Sequence, residues 1–163
     1  MVIALAALTA AGFVLDLARF RLGWLNRLFL RWLAPLLKAE ESRRVTGATY
    51  MALAALLVFV FFDRTVAVAA LLFLSLGDPA AALVGMRMPG PRLFGKSLGG
   101  TTAFIAASWC VVGILLATGV VEYHWGLMAG AVVAALVELA PVPLDDNLTV
   151  PIAAGLAMHL FGV

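Results

Sequence analysis

The chain has 163 residues, of which 64% are hydrophobic and 12% are charged, with a formal net charge of +2 and a mean hydropathy of +1.09. Water-soluble domains are about 45–50% apolar and about 25% charged, so this composition excludes that class and predicts an integral membrane protein. At this length we expect one membrane-embedded domain, residues 1–163, without a separate soluble nucleotide-binding domain.

Hydropathy predicts an all-α bundle of about six transmembrane helices, because a helix needs about 20 residues to cross a hydrocarbon core of about 30 Å. The expected spans lie near residues 2–18, 46–62, 65–86, 100–120, 125–140 and 148–162. The second and the sixth are short, so we expect tilt or local thinning of the bilayer. No basic residue precedes the first stretch and no convincing cleavage pattern follows it, which favours a retained span over a signal peptide.

Residues 21–38, between the first two spans, have the pattern of an amphipathic helix. Apolar side chains, Trp24 and Trp32 among them, recur at helical spacing and are opposed by basic ones. Such a helix is expected to lie in the headgroup plane, as an anchor or as an element that admits a lipid. A polar cluster at the mouth of the second span follows, and it either anchors the span or contacts a nucleotide or a lipid phosphate: Glu40, Glu41, Arg43, Arg44 and Thr46.

The third span contains an aspartate and a proline within an apolar stretch, Leu74–Gly85. An ionised carboxylate in hydrocarbon costs roughly 2.5–3.5 kcal/mol even on the mildest scale, so we expect Asp78 to face the bundle interior or a wet cavity. Pro79 disrupts the helix beside it and frees backbone carbonyls toward that cavity. Asp78 is therefore a candidate functional residue.

The basic loop that follows, residues 87–99, ends in a Gly-Lys-Ser sequence suited to phosphate. Gly90, Gly95, Lys96 and Ser97 match the P-loop spacing, but a true P-loop lies in an α/β sheet, which we do not expect here. Glycines allow close approach of the backbone to an anion, Lys96 supplies a positive charge, and Ser97 precedes a helix N-terminus, where phosphate is favoured. The alternative is a positive-inside anchor that contains glycine.

A second acidic region follows the fifth span, in the loop 141–147. Asp145 and Asp146, with Asn147, are candidates for metal and nucleotide contact, the alternative being a solvated acidic loop. Glu138 lies near the end of the fifth span, where an unpaired glutamate is costly, so a pairing role and a catalytic role are equally compatible with it.

The fifth span also carries a face of small residues. Gly126 and Gly130 form a small-xxx-small pattern, which favours helix packing within the bundle over dimerisation. The oligomeric state stays open, with a homodimer as the alternative. Cys110 is the single cysteine, so an intrachain disulfide is excluded.

The distribution of basic residues predicts the topology. Lys and Arg near span ends collect on the cytoplasmic side. With six spans, the two basic loops and the acidic loop share that side, the termini lie outside, and every candidate group is at the cytoplasmic face. Ten of the eleven basic residues lie in those two loops: Arg19, Arg21, Arg27, Arg31, Lys38, Arg43 and Arg44 in the first, and Arg87, Arg92 and Lys96 in the second.

Three ordered motifs resemble the polytopic CTP-dependent lipid kinase family, which contains dolichol kinase, phytol kinase and CTP-dependent diacylglycerol kinase. They are Glu40–Tyr50 (EESRRVTGATY), Gly77–Phe104 (GDPAAALVGMRMPGPRLFGKSLGGTTAF) and Asp145–Pro151 (DDNLTVP). The resemblance runs from about residue 13 to the end of the chain and implies transfer of the γ-phosphoryl group of CTP to a lipid alcohol. The family commonly has KS-x-EG, where this chain has Gly99 in place of the glutamate.

Together, the residues and the resemblance assign expected roles. Asp78 is the general base or a metal ligand, Lys96 faces the transferring phosphate, and Asp145 and Asp146 hold Mg²⁺. The expected partners are the bilayer, a lipid alcohol and a nucleotide, without nucleic acid. Nucleotide contacts are expected from Gly95, Lys96, Ser97, Gly100, Thr101, Asn147, Arg43 and Arg44, with support from Glu40, Glu41, Thr46 and Glu138.

Two other functions use the same residues. A CTP-using phosphatidate cytidylyltransferase would release pyrophosphate in place of CDP. A small ion-coupled transporter would use Asp78 beside the broken helix as a coupling-ion site, but it leaves the Gly-Lys-Ser loop unexplained. Among kinase acceptors, polyprenols including dolichol, phytol and diacylglycerol all remain open.

Overall fold

The computed structural model describes residues 1–33, 44–88 and 90–163, and within them it confirms the all-α prediction. Each predicted span coincides with a helix to within a few residues. The described residues form seven helices and one short hairpin: α1 (Val2–Arg21), α2 (Gly23–Leu33), α3 (Gly47–Phe61), α4 (Arg64–Arg87), β1 (Arg92–Leu93), β2 (Lys96–Ser97), α5 (Leu98–Ala117), α6 (Trp125–Leu139) and α7 (Asp146–Leu160).

Three of the described helices, α1, α4 and α5, are long and apolar enough to cross a membrane. The helices α3, α6 and α7 have 15 residues each, which corresponds to about 22 Å and is less than a hydrocarbon core of about 30 Å. The prediction that the second and sixth spans are short is therefore confirmed in α3 and α7. The fifth span, α6, is equally short. The total of six membrane crossings stays a prediction.

The core lies among α4, α5, α6 and α7, with α3 against them and α1 at the edge of the bundle. Its large side chains include Phe73, Phe104, Leu127 and Met158, all without solvent exposure. Small residues allow the close helix contacts, because a Cβ on Gly77 would lie 2.7 Å from the Phe104 ring and one on Gly130 would overlap Met158. The small-residue face of α6 therefore packs within the bundle, against α7.

The predicted amphipathic helix is present over its described part, α2. Trp24 and Trp32 are 59% and 75% exposed, as expected for side chains that reach lipid headgroups. Residues 34–38 of the predicted segment lie outside the described residues.

A buried ion pair that the sequence analysis did not single out joins α1 to the start of α3. The side chains of Asp16 and Arg19 are 2% and 0% exposed, and Arg19 Nε lies 2.7 Å from Asp16 Oδ1. The other carboxylate oxygen of Asp16 accepts from the backbone N–H of Thr46 at 3.0 Å and from the Thr49 hydroxyl at 2.8 Å. Arg19 also donates to the backbone carbonyl of Arg44. This network holds residues 44–46 against α1.

We expect Asp16→Asn to lower the free energy of unfolding by about 3 kcal/mol, because it removes one charge of the buried pair with Arg19 and places an amide where the carboxylate accepts from Thr46 and Thr49. Denaturant unfolding in detergent micelles measures the change. Asp63→Asn, at the exposed N-cap of α4 where the side chain makes no capping bond, is the matched control. Equal stability of the two variants would contradict a stabilising role for the pair.

The connecting segments fall at two ends of the bundle. At one end, the α3–α4 junction meets the C-terminus, with the rings of Phe62 and His159 6.0 Å apart, and Trp125 lies 4.6 Å from Phe161. At the other end, the hairpin after α4 meets the end of α6 and the start of α7. The Gly-Lys-Ser segment and the acidic loop are therefore neighbours in space.

Candidate functional site

The second half of the predicted phosphate loop is a tight β-hairpin. Strand β1 pairs antiparallel with β2, with Arg92 opposite Ser97 and Leu93 opposite Lys96. The two turn residues, Phe94 and Gly95, have φ values of +53° and +87°, the left-handed pair typical of a type I′ turn. The predicted phosphate loop is therefore a hairpin over residues 92–97, and the pairing of its strands fixes the backbone position of Lys96.

Ser97 ends the hairpin and begins α5. Its hydroxyl accepts a hydrogen bond from the backbone N–H of Gly100 at 2.9 Å, which caps the helix. A Cβ on Gly100 would lie 2.8 Å from the carbonyl oxygen of Ala81, and one on Gly85 would lie 2.7 Å from the Ser97 hydroxyl. Glycine at both positions thus allows α4 and the start of α5 to pack closely behind Lys96.

Lys96 is held between two carboxylates of the acidic region. Its Nζ lies 2.8 Å from Asp146 Oδ2 and 3.0 Å from Glu138 Oε1, and it also donates to the backbone carbonyl of Glu138. Burial opposes the charge on Lys96, but the hydrogen bonds to Asp146 and Glu138 outweigh it and raise the pKa of the ammonium above its usual 10.5. Lys96 is therefore a fixed, fully charged group that joins the hairpin to Glu138 of α6 and Asp146 of α7.

A cavity of about 210 Å³ lies on one side of Lys96. Asp78 is half-buried in its wall, and among the described residues no hydrogen bond or ion pair reaches the Asp78 carboxylate. The expectation that Asp78 faces a cavity is thus met by the geometry. The lining consists of Asp78, Ala81, Ala82, Gly85, Met86, Arg92, Gly95, Lys96, Ser97, Gly100, Thr101 and Glu138.

A larger cavity, of about 590 Å³, lies on the other side of Lys96, and the lysine lines both. Charged groups occupy part of its wall, and aromatic and aliphatic groups make up the remainder. The lining consists of Arg44, Val45, Tyr50, Phe94, Lys96, Leu139, Ala140, Pro141, Val142, Pro143, Leu144, Asp145 and Asp146.

Several predicted site residues have clear structural partners. Asp145 caps α7, because its Oδ1 accepts from the N–H and the side-chain amide of Asn147 at 2.9 and 2.8 Å. Thr46 caps α3 and belongs to the Asp16 network. The predicted contributions of Glu40, Glu41 and Arg43 lie outside the described residues.

Sequence reasoning missed other residues that line the cavities. Arg92 lines the smaller one, and Tyr50 and Phe94 line the larger one. Phe94 could have been found from its position directly before the glycine of Gly-Lys-Ser. A side chain at a hairpin turn is exposed, so an aromatic residue there can contact a ligand. The pairing of Glu138 was foreseen as one of two roles, and the structure identifies Lys96 as its partner.

The acidic side chains could hold a magnesium ion only together with oxygen atoms of a bound phosphate. Within the described part of the chain, no three His, Cys, Asp or Glu side chains form a cluster able to hold a metal by themselves. Mg²⁺ in phosphate sites is commonly held by one or two carboxylates together with the phosphates. Asp78 offers a carboxylate without a partner in the described residues, and Asp146 offers one that is 26% exposed.

Comparison with curated proteins finds relatives that are named as lipid kinases. The chain is 29% identical to CTP-dependent diacylglycerol kinase 1 of Saccharomyces cerevisiae, over 90% of this chain and 59% of that protein. It is 28% identical to the protein of the same name in Schizosaccharomyces pombe, over 89% and 73%. It is 32% identical to probable phytol kinase 3, chloroplastic, of Glycine max, over 66% and 39%. No family model and no solved structure matches the chain.

Proposed function

Because this chain is related to the CTP-dependent lipid kinases, we propose that it transfers the γ-phosphoryl group of CTP to the hydroxyl of a membrane lipid alcohol. The observation that carries the proposal is the position of Lys96, between Glu138 and Asp146 and in the same cavity as Asp78. Phosphoryl transfer requires positioning and positive charge around the phosphate oxygens, and a base for the acceptor hydroxyl.

In this mechanism Asp78 accepts the proton of the lipid hydroxyl. The hydroxyl oxygen forms a bond to the γ-phosphorus, the bond from that phosphorus to the β–γ bridging oxygen breaks, and CDP leaves. Lys96 faces the γ-phosphate, and Gly95, Ser97 and Thr101 contact the remaining phosphate oxygens. Mg²⁺, when bound with the nucleotide, neutralises developing charge on the phosphates.

Binding of the triphosphate then requires an exchange at Lys96, because its three N–H donors are all engaged. Asp146 is its more exposed partner, with 26% exposure against 8% for Glu138. We place the exchange there: a phosphate oxygen replaces Asp146 on the lysine, and the released carboxylate, with Asp145, would hold Mg²⁺ when it is bound with the nucleotide.

We propose that the site faces the cytoplasm, since Arg44, directly before α3, lines the same cavity as the hairpin residues Phe94 and Lys96, and basic loops stay on that side. The termini are then outside.

Nucleotide products test the function directly. Purified protein in mixed micelles with Mg²⁺ and polyprenol, phytol or diacylglycerol is expected to transfer label from γ-labelled CTP to lipid and to release CDP. Incorporation of α-label with release of pyrophosphate would identify a cytidylyltransferase. Transfer from ATP with CTP inert would contradict CTP use, and no nucleotide turnover with any alcohol would contradict the kinase proposal.

A further inference from the structure

The segment between α6 and α7 is unusually poor in backbone donors where it lines the larger cavity. Pro141 and Pro143 have no N–H, and the N–H groups of Ala140 and Val142 are already bonded to the carbonyls of Leu136 and Ala140. Among the described residues, no hydrogen bond reaches the carbonyl oxygens of residues 141–144. The segment therefore has four backbone acceptors against the single N–H of residue 144.

The remaining wall of this cavity suits a flat ring attached to phosphates. Phe94, which is 63% exposed at the hairpin turn, and Tyr50 of α3 supply aromatic surfaces, and aromatic side chains stack on nucleobases. Lys96 and Arg44 supply positive charge on the same lining, which also holds the carboxylates of Asp145 and Asp146. The volume of about 590 Å³ lies within the range of about 300–1,000 Å³ usual for small-molecule sites.

We propose that the larger cavity binds the cytidine part of CTP, with its base against Phe94 and Tyr50 and its exocyclic amino group donating to the carbonyls of residues 141–144. This inference rests on the proposed kinase function and adds the site that selects the base. Uracil carries a carbonyl oxygen in place of that amino group, and an acceptor-rich segment repels it.

The lipid hydroxyl is then assigned to the smaller cavity. Asp78 lies nine residues before Arg87, the last residue of α4, and hence about 13 Å inside the end of that helix. Ala82 and Met86, on the same wall, are exposed on the outer surface of the bundle, where lipid is expected. Lys96 lines both cavities, so a γ-phosphate bound at Lys96 lies between the cytidine in the larger cavity and the lipid hydroxyl in the smaller one.

Separate KM values for nucleotide and lipid test the assignment. Phe94→Ala is expected to raise the KM for CTP roughly tenfold, from lost stacking, with the KM for the lipid alcohol unchanged. Phe61→Ala removes a similarly exposed ring, 70% exposed at the opposite end of the bundle, and serves as the control with both constants unchanged. A raised KM for lipid with a normal KM for CTP would overturn the inference and make the larger cavity the lipid site.

Base selection gives a second readout. Pro143→Ala adds an N–H to the acceptor-rich segment, so the ratio of kcat/KM for CTP to that for UTP is expected to fall about fivefold. A merely loosened loop would lower both values together and leave their ratio unchanged, which would overturn the assignment of base selection to this segment.

Thiol labelling separates binding from turnover. Leu144→Cys in a Cys110→Ser background places a thiol at a position that is 57% exposed, and CTP is expected to slow its modification whereas UTP is not. Tyr123→Cys, 73% exposed at the opposite end, is the control with no effect of CTP. Protection by CTP without phosphoryl transfer would contradict the kinase function and support the nucleotide site. Phosphoryl transfer by this variant without protection by CTP would support the kinase function and contradict the nucleotide site.

Discussion

Lys96→Met is expected to lower turnover about a hundredfold to a thousandfold, the usual loss when one fixed group that stabilises transition-state charge is removed. Methionine keeps most of the length of the side chain and removes the ammonium. The reason for the loss is that Lys96 is held at the boundary of the two cavities, where its charge faces the transferring phosphate. Initial rates at saturating CTP and lipid measure the effect.

The same substitution has a separate structural cost, because it leaves the Glu138 side chain, 8% exposed, without its cation. We expect a loss of about 2 kcal/mol in the free energy of unfolding. The ion pairs contribute while Lys96 is charged, so their contribution is complete below pH 10.5 and is lost as the pH rises through the raised pKa of the lysine.

A double variant separates the two effects. Adding Glu138→Gln to Lys96→Met removes the unpaired charge and is expected to restore stability, but not activity. Recovery of activity along with stability would show that Lys96 acts only by holding Glu138. Turnover of Lys96→Met within a few-fold of the unaltered protein would contradict its phosphate role outright.

Asp78→Asn is expected to abolish measurable phosphoryl transfer, with a loss of about a thousandfold or more if the carboxylate is the base. The protein is expected to be as stable as before or more stable. Within the described residues the carboxylate has no partner to lose, and an amide is less costly to bury than a charge. Transfer of γ-label and unfolding in denaturant are the two measurements.

The matched control is Asp63→Asn, which neutralises an exposed carboxylate at the opposite end of the same helix and should change neither activity nor its pH profile. Partial recovery of the Asp78 variant at high Mg²⁺ would identify the residue as a metal ligand, whereas a flattened acidic limb of the pH profile would identify the base. Near-normal activity would make Asp78 structural.

Parts of the site followed from local features of the sequence. Asp78 in an apolar span predicts a cavity because the cost of an ionised carboxylate in hydrocarbon does not depend on which helices surround it. The capping of α5 by Ser97 follows equally from local chemistry, since a hydroxyl before an apolar helix satisfies its first N–H groups.

The partners of these residues did not follow in the same way. Lys96 contacts groups 42 and 50 positions away, and Asp16 contacts a hydroxyl 33 positions away. From the sequence, Arg19 is one of the basic residues that predict the side of the first loop. In the structure its guanidinium is buried. The spacing of residues along one helix does not indicate which end of another helix lies next to them in the folded protein.

The sequence by itself determined that this is an all-α membrane protein and which segments are helical, because apolar runs and caps act over a few residues. Only the tertiary structure decided that the Gly-Lys-Ser segment is a hairpin, that Glu138 and Asp146 share its lysine, and that two cavities meet there. The physical reason is that ion pairs and cavities arise from helix ends brought together by packing, and packing depends on shape complementarity over the whole bundle.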